Sequence, residues 1–586
     1  MSTPGIPGDD LGPGAALVDS RRLTGVSLML DGPGAILEAR LAGLEARDFA
    51  AAWESALDRM LGALDWAGAH RAWRRFPGGA SFAFEAPIDA LYAATEVNEW
   101  AFAEAARATG ALDETAAFAV EAARLRAALL DERKPAWLAW QAEAAGRNLT
   151  FLWDDKRLSL GLGTGSVSVP ADAPPPLERL PWSHLHDVPV AMVTGTNGKT
   201  TTVRLLAAIA RAAGKLAGVT STDRVDVGDE TVATGDYSGP NGARTVLRDR
   251  RVELGVLEVA RGGILRRGLS VPHVEVAVIT NVANDHLGEY GVHDLDTLAD
   301  AKMVVTRAVR SGGRAVLNAD DPRLLERGGQ RNGDTLWTSL AASHPTVRAH
   351  VAAGGDAAWL EDTCLMLARD GTTSKLASID ELPIAFGGAA RYNVANALAA
   401  AGAAAALGLP LEAIRAGLRS FASTPEANPG RANLWRFGTL TAIVDYAHNP
   451  HGLAALAEMA AAVPATRRAI VLGQAGDRDD ASIRELARAA ASMQPDRVFL
   501  KEMERFRRGR EPGVVLEILA SEFRACGLPA AAIESHESET AAVDAAIAWA
   551  REGDLLLLTT HAERDQVFER LRELERTGWR PPGAAA

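Results

Sequence analysis

A short glycine-containing segment carries the residue types that bind nucleotide phosphates. Gly195, Gly198, Lys199 and Thr200 follow an apolar run typical of a buried strand and precede a helical pattern. In this context, glycines let backbone N–H groups approach phosphate oxygens, the lysine and the helix N-terminus supply positive charge, and the threonine hydroxyl can hold Mg²⁺. Only two residues separate the glycines, so the usual G-x-x-x-x-G-K-[ST] template does not fit, and a chance glycine turn is the alternative. The strand–loop–helix context favours a phosphate-binding loop formed by Gly195, Thr196, Asn197, Gly198, Lys199, Thr200 and Thr201.

A second set of residues, downstream of the loop, could bind a hard cation. Glu258 lies near the end of the apolar run 254–260, and His286 follows the apolar run 274–280. Lys302 stands at the beginning of a predicted helix. Functional sites of parallel sheets usually lie at the carboxyl ends of the strands. Carboxylate oxygens are ligands that Mg²⁺ prefers. A lone Glu or His at a strand end is more often structural, so this prediction depends on the complete set.

The composition limits the class of protein. A chain of 586 residues is long enough for about three or four domains, and its 47% hydrophobic and 23% charged content is typical of globular proteins. The formal net charge of −13 argues against nucleic acid or an acidic membrane as a partner. No apolar run approaches about 18 residues, the N-terminus lacks a signal-peptide pattern, and two cysteines are too few for a disulfide framework. We therefore expect a cytoplasmic protein without a membrane span.

The order of predicted elements divides the chain into three domains. Residues 1–185 are expected to form an N-terminal α+β domain with a loose tail at 1–15 and a stiff Pro-rich linker at 170–182. Strands and helices alternate over 186–425, which predicts a central domain around a mostly parallel sheet. They alternate again over 426–586, which predicts a smaller, doubly wound, Rossmann-like domain. The fold class is therefore α/β.

The first domain has local patterns but no catalytic constellation. Short strands are predicted at 27–30 and 35–38, a helical stretch at 113–146 and a hairpin at 149–162. Eight of the thirteen tryptophans lie here. They could form a binding surface for an extended substrate, since aromatic side chains make good contact platforms. Large aromatic side chains usually lie inside a protein, so an ordinary core is the favoured interpretation.

Taken together, the sequence blocks resemble a known family, the Mur ligases, which are ATP-dependent enzymes that join an amino acid to a carboxylate. Some of the blocks also resemble the Mur-ligase-like half of cyanophycin synthetases in particular. The family blocks are TGTNGKTTT at 194–202, LEVARGG at 257–263, TNVANDHL at 280–287, Ala301-Lys302, LNADDP at 317–322, NVANALAA at 393–400, PGR at 429–431, VDYAHNP at 444–450 and GDR at 476–478. The blocks shared with cyanophycin synthetases are STD at 221–223, GDYSGP at 235–240, ARGGILRRG at 260–268 and RGR at 508–510.

The resemblance implies a site for ATP and two Mg²⁺ ions. It implies that Lys199 and the loop glycines hold the β- and γ-phosphates, that Thr200 and Glu258 hold one ion, and that His286 holds the second. Lys302 matches the lysine that carries a carbamate in this family. An ammonium group at this position would oppose Mg²⁺ binding, whereas a carbamate would favour it.

The resemblance also implies nucleotide contacts from later segments. Arg431 and Asp445 would reach the γ-phosphate and the ribose when the C-terminal domain closes over the nucleotide. His448 would lie beside them, and adenine contacts are implied for Asn318 and for Asn393 or Asn396. One departure is visible, because many family members carry His where this chain has Tyr392.

Substrate contacts are expected from charged residues outside the phosphate loop. The basic segment 501–510 could bind a carboxylate, since arginine forks match carboxylates, but a solvated charged loop is an equal alternative. His561 and Glu563 fall where relatives place residues that bind the amino acid. The candidate substrate residues are Asp236, Arg261, Arg508 and Arg510.

The implied activity is an ADP-forming ligation of an amino acid to a carboxylate-bearing small molecule or peptide, through an acyl phosphate. The roughly 185 residues before the loop are too few for both an N-terminal domain and a full ATP-grasp domain, so the chain should not make cyanophycin by itself. A cell-wall-type ligase and a non-catalytic ATP-binding partner subunit are the alternatives. The complete set of Glu258, His286 and Lys302 argues against the partner subunit. Homo-oligomerisation is left open.

Overall fold

The computed structural model describes residues 14–66, 68–112 and 117–583. Most of the predicted tail at 1–15 lies outside these residues, and residues 14 and 15 already belong to the first strand. The N-terminal part is an antiparallel sheet in the order β1-β2-β4-β3, followed by a small three-stranded sheet, β5-β6-β7. Its elements are β1 Gly14–Leu23, β2 Gly34–Ala42, α1 Ala46–Ala63, β3 Arg71–Phe76, β4 Gly79–Glu85, α2 Leu91–Ala108, α3 Phe118–Glu132, α4 Pro135–Gly146, β5 Phe151–Trp153, β6 Arg157–Leu160 and β7 Val167–Pro170.

The tryptophans of this part belong mainly to its cores. Trp53, Trp100, Trp137 and Trp140 are each at most 6% exposed. The indole of Trp53 donates to Asn98 Oδ1 at 2.9 Å, which satisfies its polar atom inside the core. The core interpretation is therefore confirmed for these four residues.

Some local predictions are wrong. Residues 27–30 lie in a loop, whereas 35–38 lie in β2. The helical stretch forms two helices, α3 and α4, because Pro135 disfavours helical geometry at the residue before it and opens a new helix. The first residues of that prediction, 113–116, lie outside the described residues.

The segment 170–182 is packed rather than free. Ala171 and Leu180 are buried, and the indole of Trp137 donates to Ala171 O at 2.9 Å. Proline content predicted a stiff linker, but long-range contacts dock this segment against α4 and the small sheet.

The central part is an eleven-stranded sheet in the order β11-β10-β9-β12-β8-β13-β14-β15-β16-β17-β18. Strands β9 to β16 of this order pair in parallel, and the strands at both edges are antiparallel. Apolar side chains pack on both faces, as parallel sheets require. The elements are β8 Val190–Thr194, α5 Lys199–Ala212, β9 Ala217–Thr220, β10 Arg224–Val227, β11 Glu230–Thr234, α6 Pro240–Leu247, β12 Leu254–Glu258, α7 Arg261–Arg267, β13 Val274–Ile279, α8 Leu295–Met303, β14 Val309–Asn318, α9 Pro322–Gln330, β15 Thr335–Ser339, α10 Pro345–Ala352, β16 Ala357–Glu361, β17 Cys364–Arg369, β18 Thr372–Ser378, α11 Arg391–Ala406 and α12 Leu411–Ser420.

The C-terminal part is a six-stranded sheet in the order β19-β20-β24-β21-β22-β23, parallel except for β19. The predicted α/β fold class with a mostly parallel central sheet is confirmed. Within the described ranges, none of the helices is both long and apolar enough to cross a bilayer. The elements are β19 Asn433–Phe437, β20 Leu440–Asp445, α13 Pro450–Ala462, β21 Arg468–Leu472, α14 Asp480–Ala491, β22 Arg497–Lys501, α15 Val514–Ala525, β23 Ile533–His536, α16 Glu539–Trp549, β24 Leu555–Thr559 and α17 Arg564–Arg576.

Candidate active site

The glycine loop joins β8 to α5, and both of its glycines are required by geometry. Gly195 has φ +146°, and a Cβ there would lie 1.9 Å from the hydroxyl oxygen of Thr280. Gly198 has φ +87°, and a Cβ there would lie 2.1 Å from Asn396 Oδ1. Positive φ and lack of space both exclude a side chain, so the loop can take this shape only with glycine at these positions.

The loop uses some of its N–H groups internally and leaves others free. Thr196 N donates to Asn281 O, and Asn197 N donates to Asn281 Oδ1, each at 2.9 Å. The first N–H groups of α5, from Lys199 onwards, have no partner within the helix by geometry. The N–H groups available to a phosphate are therefore those at the helix start, where the helix dipole also favours an anion.

Lys199 folds back over the loop. Its Nζ donates to Gly195 O at 3.1 Å and to Thr196 O at 2.9 Å. The ammonium group is therefore held above the loop, where it can meet an anion at the start of α5.

Thr200 and Glu258 meet beneath the loop. Thr200 Oγ1 donates to Glu258 Oε2 at 2.9 Å, and Glu258 Oε1 is buried with no hydrogen-bond partner among the described residues. Burial raises the pKa of Glu258 despite the nearby charge of Lys199. An unpartnered buried carboxylate oxygen beside a threonine hydroxyl fits the oxygen ligands that Mg²⁺ prefers.

Lys302 lies near the end of α8 and is only 3% exposed. Burial, followed by the positive charge of Lys199, lowers the pKa of Lys302 well below 10.5. The amine lines the same cavity as the glycine loop.

A histidine and aspartate cluster joins the central and C-terminal parts. Ligand atoms of Asp285, His286 and His448 all lie within 4.8 Å of one another. Arg478 places Nη1 2.9 Å from His286 Nδ1 and Nη2 2.8 Å from His286 Nε2, and it also donates to Asp285 Oδ1 at 3.3 Å. Burial lowers the pKa of His286 to about 4, so its ring is neutral and can accept hydrogen bonds or a metal ion.

Arg431 reaches the cavity from the C-terminal part. Its guanidinium lies 4.9 Å from the ring centroid of Tyr446 and donates to Gly430 O at 3.0 Å. Asp445, predicted as a ribose contact, accepts from Ala432 N and Ala447 N, each at 2.7 Å. The main observed role of Asp445 is thus to tie the segment that carries Arg431 to the segment that carries Tyr446.

The three asparagines proposed for adenine differ in position. Asn318 lines the cavity at the end of β14 and donates to Thr280 O at 3.0 Å. Asn396 lines it beside Gly198. Asn393 is buried behind Asn396, accepts from its Nδ2 at 3.2 Å and donates to Ile384 O. The structure therefore favours Asn396 over Asn393 as the residue that faces the cavity.

The four candidate substrate residues all line the cavity. Asp236 accepts from Ser238, and Arg508 is exposed at the cavity rim. Arg261 pairs with Glu289, while its Nη1 is buried without a partner among the described residues.

The fourth, Arg510, has partners within the protein. Its guanidinium donates hydrogen bonds to Gly476 O at 2.8 Å, Arg478 O at 2.6 Å and Asp480 Oδ1 at 2.7 Å. This side chain supports the turn that carries Arg478, and its binding of a substrate carboxylate stays a prediction.

Lys501 is buried and His561 is half-buried, and both side chains have partners within the protein. Lys501 Nζ lies 2.5 Å from Glu539 Oε2 and 3.1 Å from His561 Nδ1. His561 Nε2 lies 3.2 Å from Ala447 O, beneath the Tyr446 segment. Periodicity could not reveal this role, because the partners are distant in sequence.

All three parts of the chain meet around one cavity of about 2320 Å³. Pockets for one small molecule are typically about 300–1,000 Å³, so this cavity has room for a nucleotide and further substrates together. Its lining includes Glu38 and Arg40 from the N-terminal sheet, as well as the glycine loop, Lys302, Arg431 and His448.

Two family models match consecutive segments of the chain. The model of the Mur ligase middle domain matches residues 193–404, and the model of the Mur ligase glutamate ligase domain matches residues 430–561. Together they span more than half of the chain. The chain belongs to the Mur ligase family. The glycine loop, Glu258, His286 and Lys302 all fall within the middle domain, and Arg431 falls within the glutamate ligase domain.

Curated proteins named as a synthetase and as a ligase are similar to part of this chain. A cyanophycin synthetase from Synechocystis sp. is 38% identical over 371 residues, which is 63% of this chain and 42% of that protein. A UDP-N-acetylmuramoyl-L-alanyl-D-glutamate–2,6-diaminopimelate ligase from Gloeobacter violaceus is 30% identical over 312 residues, 52% of this chain and 59% of that protein. The structure of E. coli FolC in complex with ADP aligns with a TM-score of 0.49 at 21% identity, over 66% of this chain and 90% of FolC. The chain thus spans less than half of the cyanophycin synthetase that it matches.

Two members of the site in this Mur ligase chain were missed by sequence reasoning. Asp285 and Arg478 complete the cluster around His286, and each lies inside a block that carried the family resemblance. The Asn-Asp-His and Gly-Asp-Arg strings were the available signal, but only the fold shows that they touch.

Proposed function

We propose that the chain is an ATP-dependent ligase that joins an amino acid to a substrate carboxylate and releases ADP. The observation that carries this proposal is the Thr200–Glu258 pair with its unpartnered carboxylate oxygen, placed directly beneath a glycine loop that begins a helix. Lys302 and Arg431 face the same cavity. The relatives named as a synthetase and as a ligase support the same reaction class.

We assign the ligands for ATP and Mg²⁺ as follows. The N–H groups at the start of α5 and the ammonium of Lys199 hold the β- and γ-phosphates. Thr200 and Glu258 hold one Mg²⁺, and His286, with Asp285 and Lys302, holds a second. Bound Mg²⁺ supplies positive charge that favours phosphoryl transfer.

Lys302 is proposed to carry a carbamate. A neutral, buried amine can add to CO₂, forming an N–C bond and releasing one proton. The product is an anionic carboxylate in place of an ammonium, which suits a cation site beside Asp285. Support comes from the low pKa of Lys302 and from its position in the cavity.

The proposed ligation has two steps. The acceptor carboxylate attacks the γ-phosphorus, giving an acyl phosphate and ADP. The amine of the amino acid then adds to the acyl carbon, and phosphate leaves as the amide forms. Lys199 and Arg431 stabilise the negative charge on the transferred phosphoryl group.

Substrate binding is assigned to Asp236, Arg261 and Arg508, whose charges face the cavity. The acceptor is a carboxylate-bearing small molecule or peptide, of the kind used by cyanophycin synthetase. A cell-wall-type ligase remains the second candidate, because the diaminopimelate ligase relative is 30% identical over 312 residues.

ADP release from Mg-ATP tests the proposal. Purified protein is incubated with a panel of amino acids together with either aspartate-containing peptides or UDP-N-acetylmuramoyl peptides. Release that requires both an amino acid and an acceptor supports the ligase, and the productive acceptor decides between the two candidates. ATP binding with no ADP release under any combination contradicts the ligase and favours the partner subunit.

A further inference from the structure

The N-terminal sheet has one face that α1 and α2 leave uncovered. Leu37, Ala39 and Leu41 of β2 pack on the covered side with the apolar residues of both helices. Because side chains alternate along a strand, Glu38 and Arg40 point to the other side. Directly paired neighbours across the four strands form a polar row on that side: Asp19, Glu38, Ser81 and Arg74.

This uncovered face holds the loop that follows His286. Three loop residues are each contacted by a different N-terminal side chain. Arg74 Nη2 donates to Gly291 O at 2.8 Å. The ring of Phe76 stacks on His293 with centroids 5.1 Å apart, and the guanidinium of Arg21 lies 4.7 Å from the ring centroid of Tyr290.

The packing is closest at Gly291. This residue has φ +67°, and a Cβ would lie 2.8 Å from Arg74 Nη2 and 2.9 Å from Ser81 Oγ. Arg74 Nε and Ser81 Oγ are both buried without a partner among the described residues. The sheet and the loop therefore meet with no room for a side chain or an intervening group.

The loop needs such external support. His286 and Tyr290 have φ of +54° and +53°, values that are uncommon for residues other than glycine. A strained backbone persists only when its surroundings hold it. Gly288 N donates to Val292 O at 2.8 Å, so Gly291 lies inside a tight turn that begins two residues after His286.

The same face also holds α7. Arg21 Nε donates to Leu265 O at 3.0 Å, and its Nη2 pairs with Glu38 at 2.8 Å in a buried ion pair. Arg261 of α7 pairs in turn with Glu289 of the loop. The sheet, α7 and the loop thus form one closed set of contacts beside the cavity.

We propose that Arg74 is a positioning residue for His286, acting from the N-terminal sheet through Gly291. The N-terminal part lies outside both matched family domains. In this proposal it belongs to the active site, because it holds the metal-binding side chain of His286 in position. This inference rests on the proposed ligase function, in which His286 takes part.

The first experiment compares Arg74→Met, Arg74→Lys and the matched control Arg75→Met in the full chain. Arg75 is the next residue of β3 but is exposed and faces the opposite side. A misplacement of about 1 Å can cost about 100-fold in rate, so Arg74→Met should lower kcat by about 10- to 100-fold and change KM for ATP by less than about twofold. Arg74→Lys should recover part of the loss, and the control should match wild type.

The second experiment measures hydrogen exchange of the loop amides by mass spectrometry. Arg74→Met should speed exchange over 286–293 and leave 195–202 unchanged. Gly291→Ala perturbs the same contact from the loop side, and its effect on kcat should not add to that of Arg74→Met, because both remove one interaction.

Two outcomes overturn the proposal: wild-type kcat in Arg74→Met, whatever the exchange shows, or a loss of kcat with unchanged loop exchange. If wild-type protein shows no ADP release, the ligase assignment fails instead. In that case, hydrogen exchange of amides 286–293 in Arg74→Met, compared with wild type, still tests whether Arg74 holds the loop. Equal exchange in the two proteins rejects the inference without any activity measurement.

Discussion

Thr200 donates a hydrogen bond of 2.9 Å to Glu258, joining the first turn of α5 to the end of β12. The two residues are 58 positions apart in the sequence, and β12 is the neighbour of β8, the strand that precedes the loop and α5. This neighbourhood places a buried carboxylate beneath the phosphate loop, with its second oxygen free for a cation.

Replacing Lys199 should abolish ligation. Lys199→Ala removes the only side-chain cation of the loop, which is held by Gly195 O and Thr196 O. We expect ADP release to fall by at least about 100-fold, since charge stabilisation at a phosphoryl group contributes several orders of magnitude. The control is Lys156→Ala, which replaces an exposed lysine in the turn between β5 and β6. Turnover of Lys199→Ala at the wild-type level would contradict the assignment.

Glu258→Gln should separate stability from activity. The glutamine keeps the shape but removes a buried charge that lacks a full set of partners, so the midpoint of thermal unfolding without ligand should rise. Activity should be lost, because the amide is a poor ligand for Mg²⁺. Differential scanning fluorimetry and ADP release check the two effects. A lower melting temperature together with full activity would show that the carboxylate is structural.

Activity should depend on CO₂ through Lys302. Intact-mass measurement under native conditions should find wild-type protein heavier by one CO₂, and Lys302→Met should lack this addition. Depleting CO₂ should lower wild-type turnover reversibly, because an uncharged amine cannot replace a carboxylate at a cation site. Full activity in CO₂-free buffer would leave the carbamate without support.

Replacing only one partner of the buried Lys501–Glu539 ion pair should lower the free energy of unfolding strongly. Glu539 also accepts from His561 N at 2.8 Å and Glu563 N at 3.0 Å, so it is fixed in place. Lys501→Met leaves a buried carboxylate without its cation, which should cost about 3–5 kcal/mol of unfolding free energy. The double variant Lys501→Met/Glu539→Gln should recover much of this loss in urea denaturation. Equal destabilisation of the single and double variants would argue against the charge as the cause.

Asp223 should make the contact between the central and C-terminal parts sensitive to acid. It accepts from Arg204 Nη2 at 3.1 Å and from Arg564 Nη1 at 2.7 Å. Burial opposes its charge, but Arg431, Arg204 and Arg564 outweigh burial and lower its pKa below 3.8. The contribution of Asp223 to stability is therefore present above about pH 4 and is lost as the pH falls through the folded-state pKa.

Melting temperatures of wild type and Asp223→Asn check this sign. The wild type should melt higher near pH 7, and the difference should shrink toward pH 3. A difference that stays constant over this range would show that the carboxylate contributes through packing and not through charge.

Local sequence patterns predicted most of the strands and helices, but few of the contacts between residues that are distant in the sequence. Buried parallel strands such as β8, β12 and β13 are short runs of apolar, β-branched residues, so their composition marks them without knowledge of the fold. Residues 27–30, Ser-Leu-Met-Leu, are also mostly apolar, but they form a loop. Their apolar side chains are satisfied by packing between elements, which a local window cannot detect.

The candidate site shows the same division. Gly195, Gly198, Lys199 and Thr200 lie within six positions, so one motif predicts their joint role. The contacts of Arg510 with Gly476 O, Arg478 O and Asp480 could not be predicted, because these partners lie some 30 positions away in the sequence.

The sequence by itself determined the α/β class, the phosphate loop and the identity of the charged residues near strand ends, because each depends on short-range periodicity or on one contiguous motif. Only the tertiary structure decided which side chains are free and which are already bonded, such as Arg478 on His286 and Arg74 on Gly291. Those contacts join segments about 190 to 220 positions apart, and they form only when separate sheets pack around one cavity.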